Sequence, residues 1–425
     1  MRFPSKVLLG SAVCLLATAC TGQTASSGDG GGEGGGAGTL RYLIEQLEDA
    51  DELTRLEDHL ADFEESSGID VEVQQLDIDT MRTVLQTQLR SDDGPDVINW
   101  GSGPGSGGAL AEAGLLYDLT DAYEENGWEV YDFAKERVTY GGRVYGIPGE
   151  METVGLYYNA QVLADLGIEP PRTLDDLRAA CQAISEAGLI PMALGDQEGW
   201  PGSHLLSMAL SSALGPDGME ALLSGQRSWD SPEVVDALTF WQEANANGWL
   251  GESPVSVDYD TMTAQYISGE AAMIPTGSWF VNDLAIGADF ESGYVPFPAP
   301  DGEGVFASGL GSGPFVAANT DNPEGAIALL DFLASEEHGQ WTVENLQAIP
   351  PRPVDTAGLE VDPLLAQVLE EVSALSEGGG QLGYNIDVLM PESFNEAMFD
   401  GVQAVLTGQS TPAEVAASLQ AASEQ

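Results

Sequence analysis

Beyond residue 38 the chain alternates short apolar runs with stretches of helical period. Leu40, Tyr42, Leu43 and Ile44 make a short strand, and Leu53, Leu56, Leu60 and Phe63 recur at helical spacing over 51–66. Ile69, Val71 and Val73 alternate as a second strand, 80–90 reads as a second helix, and 96–100 as a third strand running into the glycine-rich loop GSGPGSGG. Further strands are expected at 143–148 and 154–159, on either side of a crossing point, and at 271–276, 294–297 and 314–318. Helix starts are marked at Thr173 (with Asp176 three residues on), Ser231-Pro232-Glu233, Asn322-Pro323-Glu324 and Thr411-Pro412-Ala413-Glu414. Strands that alternate with helices predict an α/β protein whose mixed, mostly parallel sheets are flanked by helices. No internal repeat is visible.

The first 38 residues have no such pattern. Arg2 and Lys6 precede an uncharged, mostly apolar run, Val7 to Ala19, too short to span a bilayer and of the length expected for the core of a signal peptide. It ends Ala17-Thr18-Ala19-Cys20, which resembles a bacterial lipobox, with Cys20 as the lipidated residue and mature N-terminus. Residues 20–38 are then a lipidated cysteine and a slack tether, since glycine dominates from Gly28 to Gly38. The folded part is expected to work at the outer face of the cytoplasmic membrane, held there by lipid alone.

Length and charge narrow the possibilities. A chain of 425 residues fits two domains, and 43% hydrophobic residues argue for a packed core. A formal net charge of −56 repels phosphate backbones and excludes a nucleic-acid partner. Adaptation to a salty medium and simple solubility both account for that charge. Cys14 leaves with the leader and Cys20 carries lipid, so Cys181 has no disulfide partner. It lies on the helical stripe Leu174, Leu177, Cys181, Ile184 and is expected in the core.

Catalytic chemistry finds little support. His59, His204 and His338 show no metal spacing, no GxSxG occurs, and the glycine-rich loop lacks the lysine and spacing of a phosphate cradle. No cofactor and no metal are expected. The aromatics are more informative: Trp100, Trp200 and Trp279 fall at strand ends or in glycine/proline loops, where α/β proteins bind ligands. An indole covers the C–H face of a pyranose, while neighbouring carboxylates and amides bond hydroxyls. Trp241 lies on a helical stripe and belongs to the core; Trp128, Trp229, Trp249 and Trp341 read as packing or surface residues.

The segments VYGIPGEMETVGLYYN (Val144 on), LADLGIEPPRTLDDL (Leu163 on), PMALGDQEGWPGS (Pro191 on) and SGEAAMIPTGSW (Ser268 on) resemble extracellular solute-binding proteins of bacterial ABC importers, in the maltose-binding-protein-like, carbohydrate-binding branch. So do GLGSGPFVAANTDNPEGAIALLDFLASEE (Gly309 on) and VLTGQSTPAEVAASLQ (Val405 on). The resemblance implies the two-lobed type II periplasmic-binding-protein fold, with residues 39–149 and 306–349 as lobe 1 and 150–305 and 350–425 as lobe 2. It also implies a monomer that closes on a sugar and delivers it to permease subunits driven by ATPase subunits. Matching positions carry over Gln46 and Glu48, after the first strand, with Trp100, Glu152, Trp200 and Trp279 as ligand contacts. A further aromatic of the maltose binders falls at Asn395, which departs from the pattern; Phe394 or Tyr384 then stands as its replacement. Two other readings stay open: a receptor of the same fold for a polyamine or other organic cation, and a surface glycoside hydrolase.

Overall fold

The computed structural model describes residues 38–47, 50–376 and 382–424. The leader, Cys20, the tether up to Ala37 and Glu48 lie outside the described residues. In chain order the described strands are β1 (Thr39–Glu45), β2 (Asp70–Leu76), β3 (Val97–Gly101), β4 (Thr139–Tyr140), β5 (Arg143–Val144) and β6 (Met151–Asn159). They continue with β7 (Ile190–Met192), β8 (Ala271–Gly277), β9 (Ser292–Val295), β10 (Ala307–Leu310) and β11 (Ser312–Val316).

The strands form two main sheets. The first has the order β11-β3-β1-β2, with β1 parallel to both β2 and β3 and β11 antiparallel at one edge. Its central strand is apolar on both faces: Leu40, Tyr42, Leu43 and Ile44 are all buried, as expected of a parallel strand covered by helices on each side. The second sheet, β10-β6-β8-β7 with β9 also on β6, is mixed, but its parallel share is the single pair β7 and β8. The long strand β6 runs antiparallel to β8, β9 and β10. Apolar content cannot distinguish these orientations, because β8 is buried along its whole length and reads like a parallel strand.

Two of the expected helix starts are closed by reciprocal caps. Thr173 Oγ1 accepts from Asp176 N at 3.1 Å while the Asp176 carboxylate accepts from Thr173 N at 3.0 Å, and Thr411 and Glu414 repeat the arrangement. Each exchange satisfies two backbone donors that the first helical turn leaves open. The GSGPGSGG segment is not an open loop. Pro104–Gly108 forms a π-helical turn leading into a short helix, and a Cβ on Gly103 (φ 139) would collide with the Val388 carbonyl.

Two separate hydrophobic cores follow. One gathers β1, β3, β11 and the helices Ala50–Ser67 and Pro323–Leu333; the other gathers β6, β8, and the helices Leu174–Glu186, Trp200–Leu223 and Glu392–Leu406. Two stretches pass between them side by side. Ile147 N donates to Pro314 O at 3.0 Å and Gly311 N to Glu150 O at 2.9 Å. Side chains have no room at this crossing: a Cβ on Gly149 would strike Gly311, and one on Gly313 would strike Ile147 O. The second crossing lies later than the expected break at 306. Phe306 and Ala307 pack in the second core and β10 in the second sheet, whereas Phe315 and Val316 pack in the first. The chain passes from the second core to the first around Gly311, inside a run of glycines, serines and apolar residues that gives no sequence signal.

Cys181 is fully buried and has no disulfide partner among the described residues; burial pushes its thiol up to about 12. A maleimide at pH 8 should therefore leave the Cys181 peptide unmodified in the native protein and label it only after denaturation, as read by mass spectrometry. Native labelling would place the thiol at the surface. Among the described residues no helix is long and apolar enough to cross a membrane.

Candidate functional site: the cavity at the crossing strands

A cavity of about 470 Å³ lies where the two stretches cross. Its walls are the end of β1 through Leu47, the crossing segments 147–152 and 311–314, Ser278 to Asp283, and residues from His338 to Arg352. It thus draws on elements of both cores, as a ligand cleft in an α/β protein would.

Trp279 forms part of its wall. The indole follows β8 at the start of helix Phe280–Gly287, and its Nε1 donates to the Tyr259 hydroxyl at 2.9 Å. Tyr259 in turn meets Thr276 Oγ1 at 3.0 Å. The sequence reason for the ring's position is Gly277, where any Cβ would collide with the indole. The result is an aromatic face pinned at its polar edge.

Carboxyl groups line the same cavity. Glu150 and Glu152 lie two residues apart at the entry to β6, and Glu152 Oε1 occupies space that a Cβ on Gly311 would take. Burial pushes the Glu152 carboxyl up to about 8, with the charges of Asp387, Glu150 and Glu45 adding to the shift. Burial also pushes Glu150 up to about 7, with Glu52 adding to it. Among the described residues lining the cavity, Glu45, Glu52, Glu150, Glu152 and Asp283 stand against the single guanidinium of Arg352.

His338 adds no cation. Its Nδ1 lies 3.0 Å from His59 Nε2, and burial lowers its pKa to about 3. The Trp341 ring stacks on His59 at 4.4 Å and 7°, and Trp341 also lines the cavity, so it is more than the packing or surface residue expected. The described residues contain no cluster of His, Cys, Asp and Glu able to hold a metal ion.

The structure brings together some of the expected site residues and separates others. Gln46, Glu152 and Trp279 line the cavity. Trp200, the first residue of helix Trp200–Leu223, is absent from that lining but packs 4.7 Å from Tyr259 and 6.3 Å from Trp279. Trp100 packs against the first core while its neighbour Asn99 lines the cavity, because successive strand side chains point to opposite faces. Tyr384 lines a second cavity of about 260 Å³ that shares only Met151 with the first, and the Arg137 guanidinium lies 5.8 Å from its ring centre. Phe394 is completely enclosed against Trp229 and presents no surface to a ligand. Its apolar neighbours on helix Glu392–Leu406, Met398, Val402 and Val405, share its buried face. Asn395 fastens a loop, its Nδ2 donating to Asp387 O at 2.6 Å.

Tyr259, Glu150, Glu45 and the buried group His204, Asn385 and Asp387 were not expected from the sequence. Only Glu150 had a usable signal: it precedes Glu152 by two residues, so both sit on one face of an extended segment.

The sequence profile of bacterial extracellular solute-binding proteins matches residues 48–340. The chain belongs to that family. A solute-binding protein of this kind is a receptor and not an enzyme. It is 25% identical over 303 residues to an uncharacterized ABC transporter extracellular-binding protein of Pyrococcus horikoshii, covering 69% of this chain and 66% of that one. It is 24% identical over 335 residues to the maltotriose-binding protein of Pyrococcus abyssi, covering 77% and 68%. The match therefore spans about two thirds of these relatives' own lengths. A solved structure concerned with xylan utilization by the thermophilic bacterium Caldanaerobius polysaccharolyticus superposes with a TM-score of 0.78 at 21% identity, covering 90% of this chain and 99% of that one. The fold is thus the type II solute-binding fold, and the family's location is outside the cytoplasm.

Proposed function

We propose that this solute-binding protein is a lipid-anchored receptor that takes a sugar or oligosaccharide between two lobes and delivers it to an ABC permease. The observation that carries the sugar reading is the Trp279 indole, its Nε1 held by the Tyr259 hydroxyl, on a cavity that Glu152 also lines and that elements of both cores bound. A pyranose lays its C–H face on the indole and its hydroxyls on the carboxyl groups. The maltotriose-binding relative supports the same chemistry. The lobes meet at the crossing glycines, and a ligand that touches both favours the closed form by its differential affinity. Cys20 carries the lipid, and the tether lets the receptor reach the permease.

The acidic lining favours one second reading, an organic cation such as a polyamine. Burial opposes it, since it pushes the Glu150 and Glu152 carboxyls up to about 7 and about 8 and so lowers the negative charge offered near neutral pH. Calorimetry with maltotriose, xylose, arabinose and spermidine decides between them. A sugar should bind with an affinity that changes little between low and high salt. Spermidine binding that weakens steeply with ionic strength, with no sugar binding, would replace the sugar reading by the cation one.

A further inference from the structure

Buried polar atoms without partners are rare in folded proteins, and each needs an explanation. Four of them are linked in one place here: His204 Nδ1, Asn385 Oδ1, Asp387 Oδ1 and Asn395 Oδ1. His204 Nε2 lies 3.3 Å from Asn385 Nδ2 and 3.6 Å from Asp387 Oδ2, and Asn395 Nδ2 donates to Asp387 O at 2.6 Å. Ser203 Oγ also reaches Asp387 Oδ2, at 3.3 Å. His204 is 4% exposed and Asn385 1%, so bulk water does not compensate.

No assignment of protons or amide orientation satisfies the group. With the proton on Nε2, His204 donates toward Asp387 and the Asn385 amide must turn its oxygen inward, leaving Nδ1 and the amide NH2 unmet. With the proton on Nδ1, that N–H has no acceptor. Asp387 Oδ1 is unmet either way. What completes the set is a small guest that both donates and accepts, as a hydroxyl does.

The group also sits against the aromatic wall. The His204 ring centre is 5.2 Å from that of Trp200 and 5.5 Å from that of Trp279. Asn385 N donates to Ser308 O at 2.6 Å, alongside β10, and a Cβ on the next residue, Gly309, would lie 3.3 Å from Asn385 Cβ. Gly309 pairs with Glu152 in the β6–β10 ladder. The unmet atoms are therefore one strand and one ring away from residues that line the cavity.

We infer that His204, Asn385 and Asp387 form a specificity subsite for one hydroxyl or hydroxymethyl group of the bound sugar, reached past the Trp200–Trp279 pair, with Asp387 as its main acceptor. The inference rests on the sugar reading above. A site built to bond a hydroxyl strongly rejects an analogue that lacks it, because its buried polar atoms are then left open. Water alone in the same place would give no such discrimination.

Calorimetry on the full chain tests it, first with maltotriose, xylose, arabinose, D-galactose and raffinose, then with monodeoxy versions of the tightest binder. In the wild type one deoxy position should cost at least about tenfold in affinity. Asp387→Asn should weaken the parent sugar by a similar factor and bind that deoxy sugar as the wild type does, the two changes being non-additive. Asn385→Ser, which removes the amide at a second point, should show the same coupling if Asp387→Asn folds poorly. Fully additive losses at every deoxy position, or parent affinity unchanged in both variants, would overturn the subsite and leave the sugar reading standing. Failure of every sugar to bind the wild type would overturn that reading and the subsite together.

Discussion

Trp279→Ala should weaken sugar binding by roughly thirtyfold, about 2 kcal/mol, the size typical of a buried aromatic anchor. The indole is half-buried, so a ligand completes its burial, and its Nε1 is already bonded to Tyr259. The ring therefore loses little freedom on binding, and most of its contact energy appears as affinity. The fold should survive. Ile274 and Phe280 on either side remain fully buried, and the Tyr259 hydroxyl keeps Thr276 as a partner when the indole N–H is gone. Trp200→Ala should have a smaller effect, since that ring is not part of the cavity lining. Calorimetry with the tightest sugar of the panel, beside a thermal scan of each variant, provides the check. Unchanged affinity in a folded Trp279→Ala would remove the indole from the site and with it the main support for the sugar reading.

The second large effect concerns pH. In the unfolded chain the Glu152 carboxyl titrates near the ordinary glutamate value, but in the fold burial and its acidic neighbours push it up to about 8. The native state therefore holds a proton that the unfolded state has released between those two values. Native stability is then greatest below the unfolded value and falls as pH rises toward 8. Glu150, pushed up to about 7, adds a decline of the same sign that ends earlier. Glu152→Gln keeps a neutral side chain of the same shape and removes the titration. Its thermal midpoint should exceed the wild type's at pH 8.5 by several degrees, at about 2–4 °C per kcal/mol, and should converge on it near pH 5. The remaining carboxylates titrate in both proteins, so the difference isolates this group. An equal gap at both pH values would show that Glu152 is already ionised in the native protein.

Local signals were legible wherever the physics is local. The caps at Thr173 and Thr411, the buried stripe that carries Cys181, and the strands at 40–44 and 271–276 each depend on residues a few positions apart. Trp279 stands out for the same reason, as an aromatic beside a glycine break at the end of an apolar strand, whereas Glu152 was singled out by the family resemblance alone. Trp100 shows the limit, since sequence places it at a strand end but not on one face or the other. Phe394 and Asn395 show it again. Both sit near an expected wall, yet one is sealed against Trp229 and the other holds a loop.

What the sequence determined by itself was the α/β class, the family likeness, the core face of most helices and the acidic character, because periodicity, capping and composition act over short range. Tertiary structure alone decided that β6 runs antiparallel to three partners and that the chain passes from one core to the other around Gly311. It alone set Tyr259 against Trp279 and brought His204 beside Asp387, 183 residues away along the numbering. Those contacts join positions that no short stretch of sequence brings together, and the raised Glu150 and Glu152 carboxyl groups arise from burial that no stretch carries within itself.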